Sequence, residues 1–211
     1  RVGHHRAVAP IVRVSPEALV LDTVADLYGF EFIMLSRDGE TLIEPSPFAR
    51  NGHFAGFRDR IVVGDASFFE YRVLSGDGAL ETVVRGSRPL FVSRERLRRE
   101  REALLGDDPS PGALRLWTEL LEAIPQPMTL PAFQALEVDP NGYVWLEAFT
   151  GQADVNEPRR WDVFSDDHEW LGHVLLPPGF QALAFGHDRI VGVAKNGLDV
   201  ETVQLLSVDK G

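Results

Sequence analysis

The sequence predicts an all-β protein of the β-propeller class, with about four blades and a two-helix insertion. The first observation is a hairpin motif that recurs at a period of about 40 residues, which is typical of a propeller repeat. Its serines are Ser36, Ser75, Ser165 and Ser207, separated by 39, 90 and 42 residues. The second observation is a shorter pair of β segments before each hairpin. The third is a helical pattern that fills the long middle interval.

The recurring hairpin consists of a β-rich run, a large apolar residue, a serine, any residue and an aspartate. Its four copies are Phe32–Gly39, Tyr71–Gly78, Trp161–Asp167 and Val203–Asp209. Ser-x-Asp-Gly favours a tight turn, because Ser and Asp bond their own backbone and Gly accepts positive φ. The strands that complete the first three hairpins are predicted at Glu40–Glu44, Ala79–Val84 and Leu171–Leu176. In the third copy His168 stands where Gly is usual, so the same turn cannot be assumed there.

A shorter pair of β segments precedes each hairpin, giving four strands a period. The pairs are Ile11–Val14 with Ala18–Leu21, Phe54–Phe57 with Arg60–Val63, Phe133–Val138 with Tyr143–Phe149, and Phe180–Phe185 with Arg189–Ala194. A β-sandwich also spaces its strands every 8–12 residues or so, but it does not require one hairpin at a fixed long period. The last repeat lacks a fourth strand. We expect that strand from Arg1–Ala9 or from sequence upstream of Arg1, which would make this chain part of a longer propeller.

The helical insertion is predicted at about residues 93–124, between the second and third blades of a single domain spanning residues 1–211. Ser93 is a suitable N-cap for a helix over Arg94–Leu105, and Gly106 a suitable stop. Ser110 followed by Pro111 starts a second helix that runs to about Ala123. Its apolar stripe is Leu114, Trp117, Leu121 and Ile124. The helices are expected to form a structural cap on the disc, or else a lid or docking surface.

Composition excludes several classes of function. Asp and Glu number 32 against 21 Lys and Arg, and the net charge of −11 argues against binding to nucleic acid or anionic membranes. The absence of cysteine rules out disulfides, thiolate zinc sites and a cysteine nucleophile. No apolar run reaches the length of a membrane span. The sequence also lacks the Gly-rich phosphate loops, HExxH and GxSxG motifs, so no cofactor, metal or catalytic residue is predicted.

Four residues are candidates for binding a ligand. His53 and His187 lie on or near predicted inner strands, which line a propeller channel, although a histidine in such a place is more often structural. Asp188 follows His187 in the same turn. Trp170 lies at a hairpin tip, where an exposed tryptophan indicates a contact surface. Asp139-Pro140-Asn141-Gly142 is read as a turn and not a calcium loop, because Thr150 stands where an EF-hand needs glutamate.

Several stretches resemble bacterial six-bladed propellers of the NHL-like and TolB-like group. They are Leu130–Phe133 leading to Asp139–Leu146, Arg160–Phe164, Leu171–Phe180, and Val191–Val193 continuing to Leu198–Val203. The resemblance implies about two blades beyond those visible here, and an extracytoplasmic location, since many members are exported or lipid-anchored. It carries over no functional residues, because no single catalytic motif defines the group.

Two functions remain open from the sequence. The first is a noncatalytic propeller that binds or scaffolds a protein or a small extracellular ligand. The second is a metal-dependent lactonase- or lyase-like enzyme with its site in the channel. The metal site of such an enzyme would require three or four of a set of six residues to lie within metal-ligand distance of one another. That set is His53, His187, Asp22, Glu137, Asp139 and Asp188.

Overall fold

The computed structural model describes residues 2–37, 39–86, 90–122, 129–154, 156–195 and 200–208. The fold is mostly β, with four antiparallel sheets of three or four strands and two α-helices. Each sheet is formed by strands that follow one another along the chain. The predicted all-β class is therefore confirmed.

The strands run as follows. The first sheet contains β1 (Val2–Val14), β2 (Val20–Arg37) and β3 (Glu40–Pro45); the second contains β4 (Gly52–Phe57), β5 (Arg60–Asp65), β6 (Glu70–Ser75) and β7 (Leu80–Arg85). The third contains β8 (Ala135–Val138), β9 (Val144–Glu147), β10 (Arg159–Phe164) and β11 (Trp170–Leu176). The fourth contains β12 (Phe180–Phe185), β13 (Arg189–Lys195) and β14 (Glu201–Ser207).

Successive sheets pack face to face, as the blades of a propeller do. Leu27 of the first sheet packs on Val63 and Leu74 of the second. The next interface places a cluster that includes Val62, Tyr71, Val73, Leu136, Leu146 and Phe164 between the second and third sheets. Trp145, Trp161, Phe180 and Ile190 lie in the core between the third and fourth. Alternation along each strand produces this arrangement, because consecutive side chains point to opposite faces.

The first sheet differs from the prediction. Instead of two short strands before the hairpin, β1 and β2 form one long hairpin with register shifts near Val8, Val12 and Val14. Val2 pairs with Leu35, so the N-terminal segment extends the first sheet and the fourth is built from β12, β13 and β14. Of the two sources considered for the missing strand of the last blade, Arg1–Ala9 is therefore ruled out for the described residues; Arg1 lies outside them. The segment pairs with β2 instead, and the ring of His5 stacks on that of Phe32 with 5.5 Å between the ring centroids.

The predicted turns form at the end of the sheets where β6 passes into β7. The amide of Ser75 donates to the carbonyl of Ala79 at 2.9 Å, and the amide of Gly78 to that of Ser75 at 2.8 Å. Ser165–Glu169 repeats both bonds, at 2.8 and 2.9 Å. His168 takes the glycine position with φ of 65°, so the turn forms there despite the side chain. In the first copy, Asp38 lies outside the described residues, as does Asp209 in the last.

The helices begin at the residues expected from their caps. α1 spans Arg94–Leu105, with the Ser93 side chain accepting from the amide of Arg96 at 3.0 Å and Gly106 ending it at φ of 66°. α2 spans Pro111–Glu122. Ala123 and Ile124, the last residues expected of α2 and of its stripe, lie outside the described residues. Neither helix is long and apolar enough to cross a membrane, within the described part of the chain.

The helix pair packs across the first sheet and the segments that flank β8 and β9. Leu120 and Leu121 of α2 form a core with Ile33 and Phe48, against which Leu97, Trp117, Leu130 and Phe149 also pack. Of the predicted stripe, Leu121 is buried and Leu114 is 41% exposed. The buried face of α2 therefore includes Leu120 and is displaced from the predicted stripe, away from Leu114. Arg96 and Arg99 bind Asp154 in a 3₁₀ helix (Gln152–Asp154), which fixes α1 to the third sheet.

Candidate functional site

His53 lies near the start of β4 and is partly buried. Its ring is 5.6 Å from that of Phe133, just before β8. Burial lowers the pKa of His53, and the nearby carboxylate of Asp65 only partly offsets that effect. Its Nε2 has no hydrogen-bonding partner among the described residues. A neutral, packed imidazole at this position contributes to the contact between the second and third sheets.

His187 and Asp188 lie in the turn between β12 and β13. His187 Nδ1 is 2.6 Å from Asn141 Oδ1, while Asp188 accepts from Arg189 Nε at 2.7 Å and Nη2 at 3.0 Å. His53 contacts the segment before β8, and His187 contacts the turn after it. The two histidines therefore lie at opposite ends of β8, and the structure does not bring them together.

Trp170, at the start of β11, is 58% exposed, and its Nε1 donates to Asp162 at 3.2 Å. The exposed contact surface predicted there remains a prediction. Asp139 is fully buried; its carboxylate accepts from the amides of Asn141 and Tyr143 and from Trp145 Nε1, at 2.8 to 3.1 Å. It therefore organises a turn, as expected from the sequence.

Within the described residues, no three of the six candidates for a channel metal converge on one site. Asp22 pairs with Arg13 at 2.5 Å in the first hairpin, and Glu137 is exposed on β8. Within the described ranges, no group of three or more His, Asp or Glu side chains could hold a metal ion. The geometry that would favour the metal-dependent enzyme is thus not found in that part of the chain.

A cavity of about 290 Å³ lies instead beside the loop between β5 and β6. Its lining residues are Ser67, Phe68, Phe69, Glu70, Arg85, Gly86, Leu90, Leu130, Pro131 and Ala132. Most of them are apolar. Phe68, Leu90 and the neighbouring Phe91 are 66%, 68% and 65% exposed, which makes the rim apolar as well. An exposed group of large apolar side chains around a concavity is a common feature of binding sites.

Backbone hydrogen bonds hold the walls of this cavity in place. The amide of Gly86 donates to the carbonyl of Phe69 at 2.8 Å, and the amide of Ala132 to that of Ala66 at 2.8 Å. Across the opening, the amide of Leu130 donates to the carbonyl of Leu90 at 2.7 Å. The cavity is therefore built from three segments that are distant in sequence and tied to the second sheet.

A charged network supports the wall at Ser67. Arg6 donates to Ser67 Oγ at 2.9 Å and to Asp65 at 2.5 Å. Behind Arg6, Arg50 binds the buried carboxylate of Glu31 at 2.7 Å. Removing one partner would leave an uncompensated charge, so the pairing fixes the position of the loop. Because these contacts join the first sheet to the second, the cavity depends on that interface.

This cavity was not predicted from the sequence. One signal was available: Phe68 and Phe69 are adjacent in a short loop between two strands, where a large apolar pair is unusual. Leu90 and Phe91 form a second such pair before α1. What the sequence could not show is that Leu90 and Leu130 meet beside Phe69, since the helical insertion separates Leu90 from Leu130.

Comparisons with known proteins give little beyond this geometry. No protein-family model matches the chain, and no curated protein does. A solved structure titled as a luciferin-regenerating enzyme is similar at 13% identity and a TM-score of 0.36, over 97% of this chain. The chain spans 62% of the length of that structure. At so low a score, the sheet order and packing described above carry the propeller assignment.

Proposed function

We propose that the chain is a noncatalytic binding propeller whose ligand, a protein segment or a small molecule, inserts an apolar group beside Phe69. One observation carries this proposal. The cavity at the β5–β6 loop combines an apolar lining with an exposed apolar rim and a fixed backbone. Burying such a surface contributes roughly 25 cal/mol per Å² of apolar area.

Membership in the NHL-like and TolB-like group, a complete ring of six blades and an extracytoplasmic location belong to the same proposal. Their support is the sequence resemblance together with the four successive sheets. A binding role is compatible with all three. No observation in the described residues favours the metal-dependent lactonase- or lyase-like alternative.

The proposal is tested with a neutral fluorescent probe, N-phenyl-1-naphthylamine, titrated into the protein. We expect saturable fluorescence enhancement, and Leu90→Glu should weaken binding of the probe by about tenfold or more, because the bound probe would remove a charged carboxylate from water. Leu90 is 68% exposed, so the substitution should leave folding intact.

The matched control is Leu205→Glu on β14, where the leucine is 62% exposed on another apolar surface. It should leave the affinity for the probe unchanged. If Leu205→Glu lowers the affinity for the probe and Leu90→Glu does not, the probe binds the fourth sheet and the proposed site is wrong.

A further inference from the structure

The cavity has a polar corner formed by Glu70 and Arg85. Glu70 lies between two arginines, with Oε1 2.9 Å from Arg72 Nε and Oε2 2.7 Å from Arg85 Nε. Burial acts to raise the pKa of Glu70, but hydrogen bonds from Arg85 and Arg72 outweigh it and lower that pKa. Arg72 lies outside the lining of this cavity, so Arg85 is the cationic side chain of the corner.

Arg85 presents a guanidinium group to the cavity. Its side chain is 74% exposed, and the arginine belongs to the lining together with Glu70. Glu70 occupies its Nε; among the residues that the structure describes, neither Nη atom has a hydrogen-bonding partner. A guanidinium with its terminal nitrogens available binds a carboxylate through two parallel hydrogen bonds.

We propose that the cavity recognises a small carboxylic acid that carries one aromatic or branched aliphatic group, with its carboxylate on Arg85 and its apolar group beside Phe69. This inference rests on the proposed function and specifies its ligand. A volume of about 290 Å³ is at the lower end of ligand pockets, which suits a single ring or a short branched chain. A ligand with several negative charges is disfavoured by the acidity of the whole chain.

The experiment compares 4-phenylbutyrate with 4-phenylbutyramide, its neutral counterpart of nearly equal shape, as competitors of the fluorescent probe. We expect the acid to bind the unmodified protein about tenfold more tightly than the amide, because a charged hydrogen bond replaces a neutral one. Arg85→Gln should abolish this preference and leave the affinity for the amide nearly unchanged. Raised salt should reduce the affinity for the acid only.

The control is Arg189→Gln, which removes another exposed arginine that is bound to a carboxylate, that of Asp188. It should keep the tenfold preference. If the acid and the amide compete equally well in the unmodified protein, the carboxylate inference is wrong and the proposed binding function stands. If neither competes and the probe itself does not bind, the proposed function fails together with the inference.

Discussion

The two middle sheets and the two outer sheets differ in how many of their faces are covered. In the third sheet, Leu146 packs toward the second sheet and Trp145 toward the fourth, so consecutive residues are both buried. In the fourth sheet, Ile190 is buried against the third, whereas Val203 and Leu205 are 72% and 62% exposed on β14.

The first sheet has the same asymmetry. Ile33 is fully buried beneath the helix pair, and on the other face Phe30 and Ile43 are 52% and 55% exposed. Similar alternating sequences thus reach very different burial, because burial depends on which neighbouring sheet or helix is present. The energetic weight of a residue in this fold follows from its interface and not from its residue type.

The largest difference in stability is expected between substitutions of two tryptophans. Trp145→Ala should lower the free energy of unfolding by about 3–5 kcal/mol, because the buried ring packs between two sheets and binds Asp139. Trp170→Ala, at a side chain that is 58% exposed, should cost less than about 1 kcal/mol. Urea unfolding measures both. Equal losses would show that the third and fourth sheets are not packed as described.

A smaller effect is expected from a matched pair of valines. Val73→Ala in β6 should cost about 2 kcal/mol, since this side chain is 2% exposed between the second and third sheets. Val203→Ala in β14 should change stability by at most about 0.5 kcal/mol. A cost above about 1 kcal/mol for Val203→Ala would mean that something covers the outer face of the fourth sheet in solution.

The contact between the two middle sheets at His168 gives a third test. Tyr71 Oη is 3.3 Å from His168 Nδ1, and burial raises the pKa of Tyr71, which keeps its hydroxyl protonated. His168→Gly loses this contact but relieves the positive φ, so the two effects of about 1 kcal/mol each should nearly cancel. His168→Ala keeps the unfavourable φ and should cost about 1 kcal/mol. Urea midpoints that are equal for the two variants would contradict this balance.

The smallest effect is a dependence of stability on pH. Burial lowers the pKa of His53 below its usual value, so the unfolded chain binds more protons than the folded one below about pH 6.5. The free energy of unfolding should therefore fall as the pH drops from 7.5 to 5.5. His53→Phe should make that decrease smaller; His4 and His168, whose pKa values burial also lowers, account for the remainder. An unchanged decrease in the variant would exclude His53 as a contributor.

Much of the fold was predictable from local patterns, and the site was not. Ser75 with Gly78 fixes a turn through its own backbone bonds, and Ser93 with Gly106 fixes a helix, so both kinds of element were predicted closely. The turn after Val14 was predicted, but the length of the first hairpin was missed, because no local pattern shows that β1 and β2 stay paired through the register shifts near Val8, Val12 and Val14. The cavity was missed because it joins Phe69 to Leu130 across the helical insertion, and no local pattern reports such a contact.

Hydrogen exchange measured with and without 4-phenylbutyrate tests directly whether the cavity beside Phe69 binds a ligand. We expect slower exchange in peptides that contain the lining residues of the cavity at one end of the second sheet, which are residues 67–70, 85–86, 90 and 130–132. The turns at residues 139–142 and 186–188 should exchange at an unchanged rate. Protection confined to those turns, with none at residues 67–70, would place binding at the opposite end of the sheets and show that the cavity beside Phe69 is not the binding site.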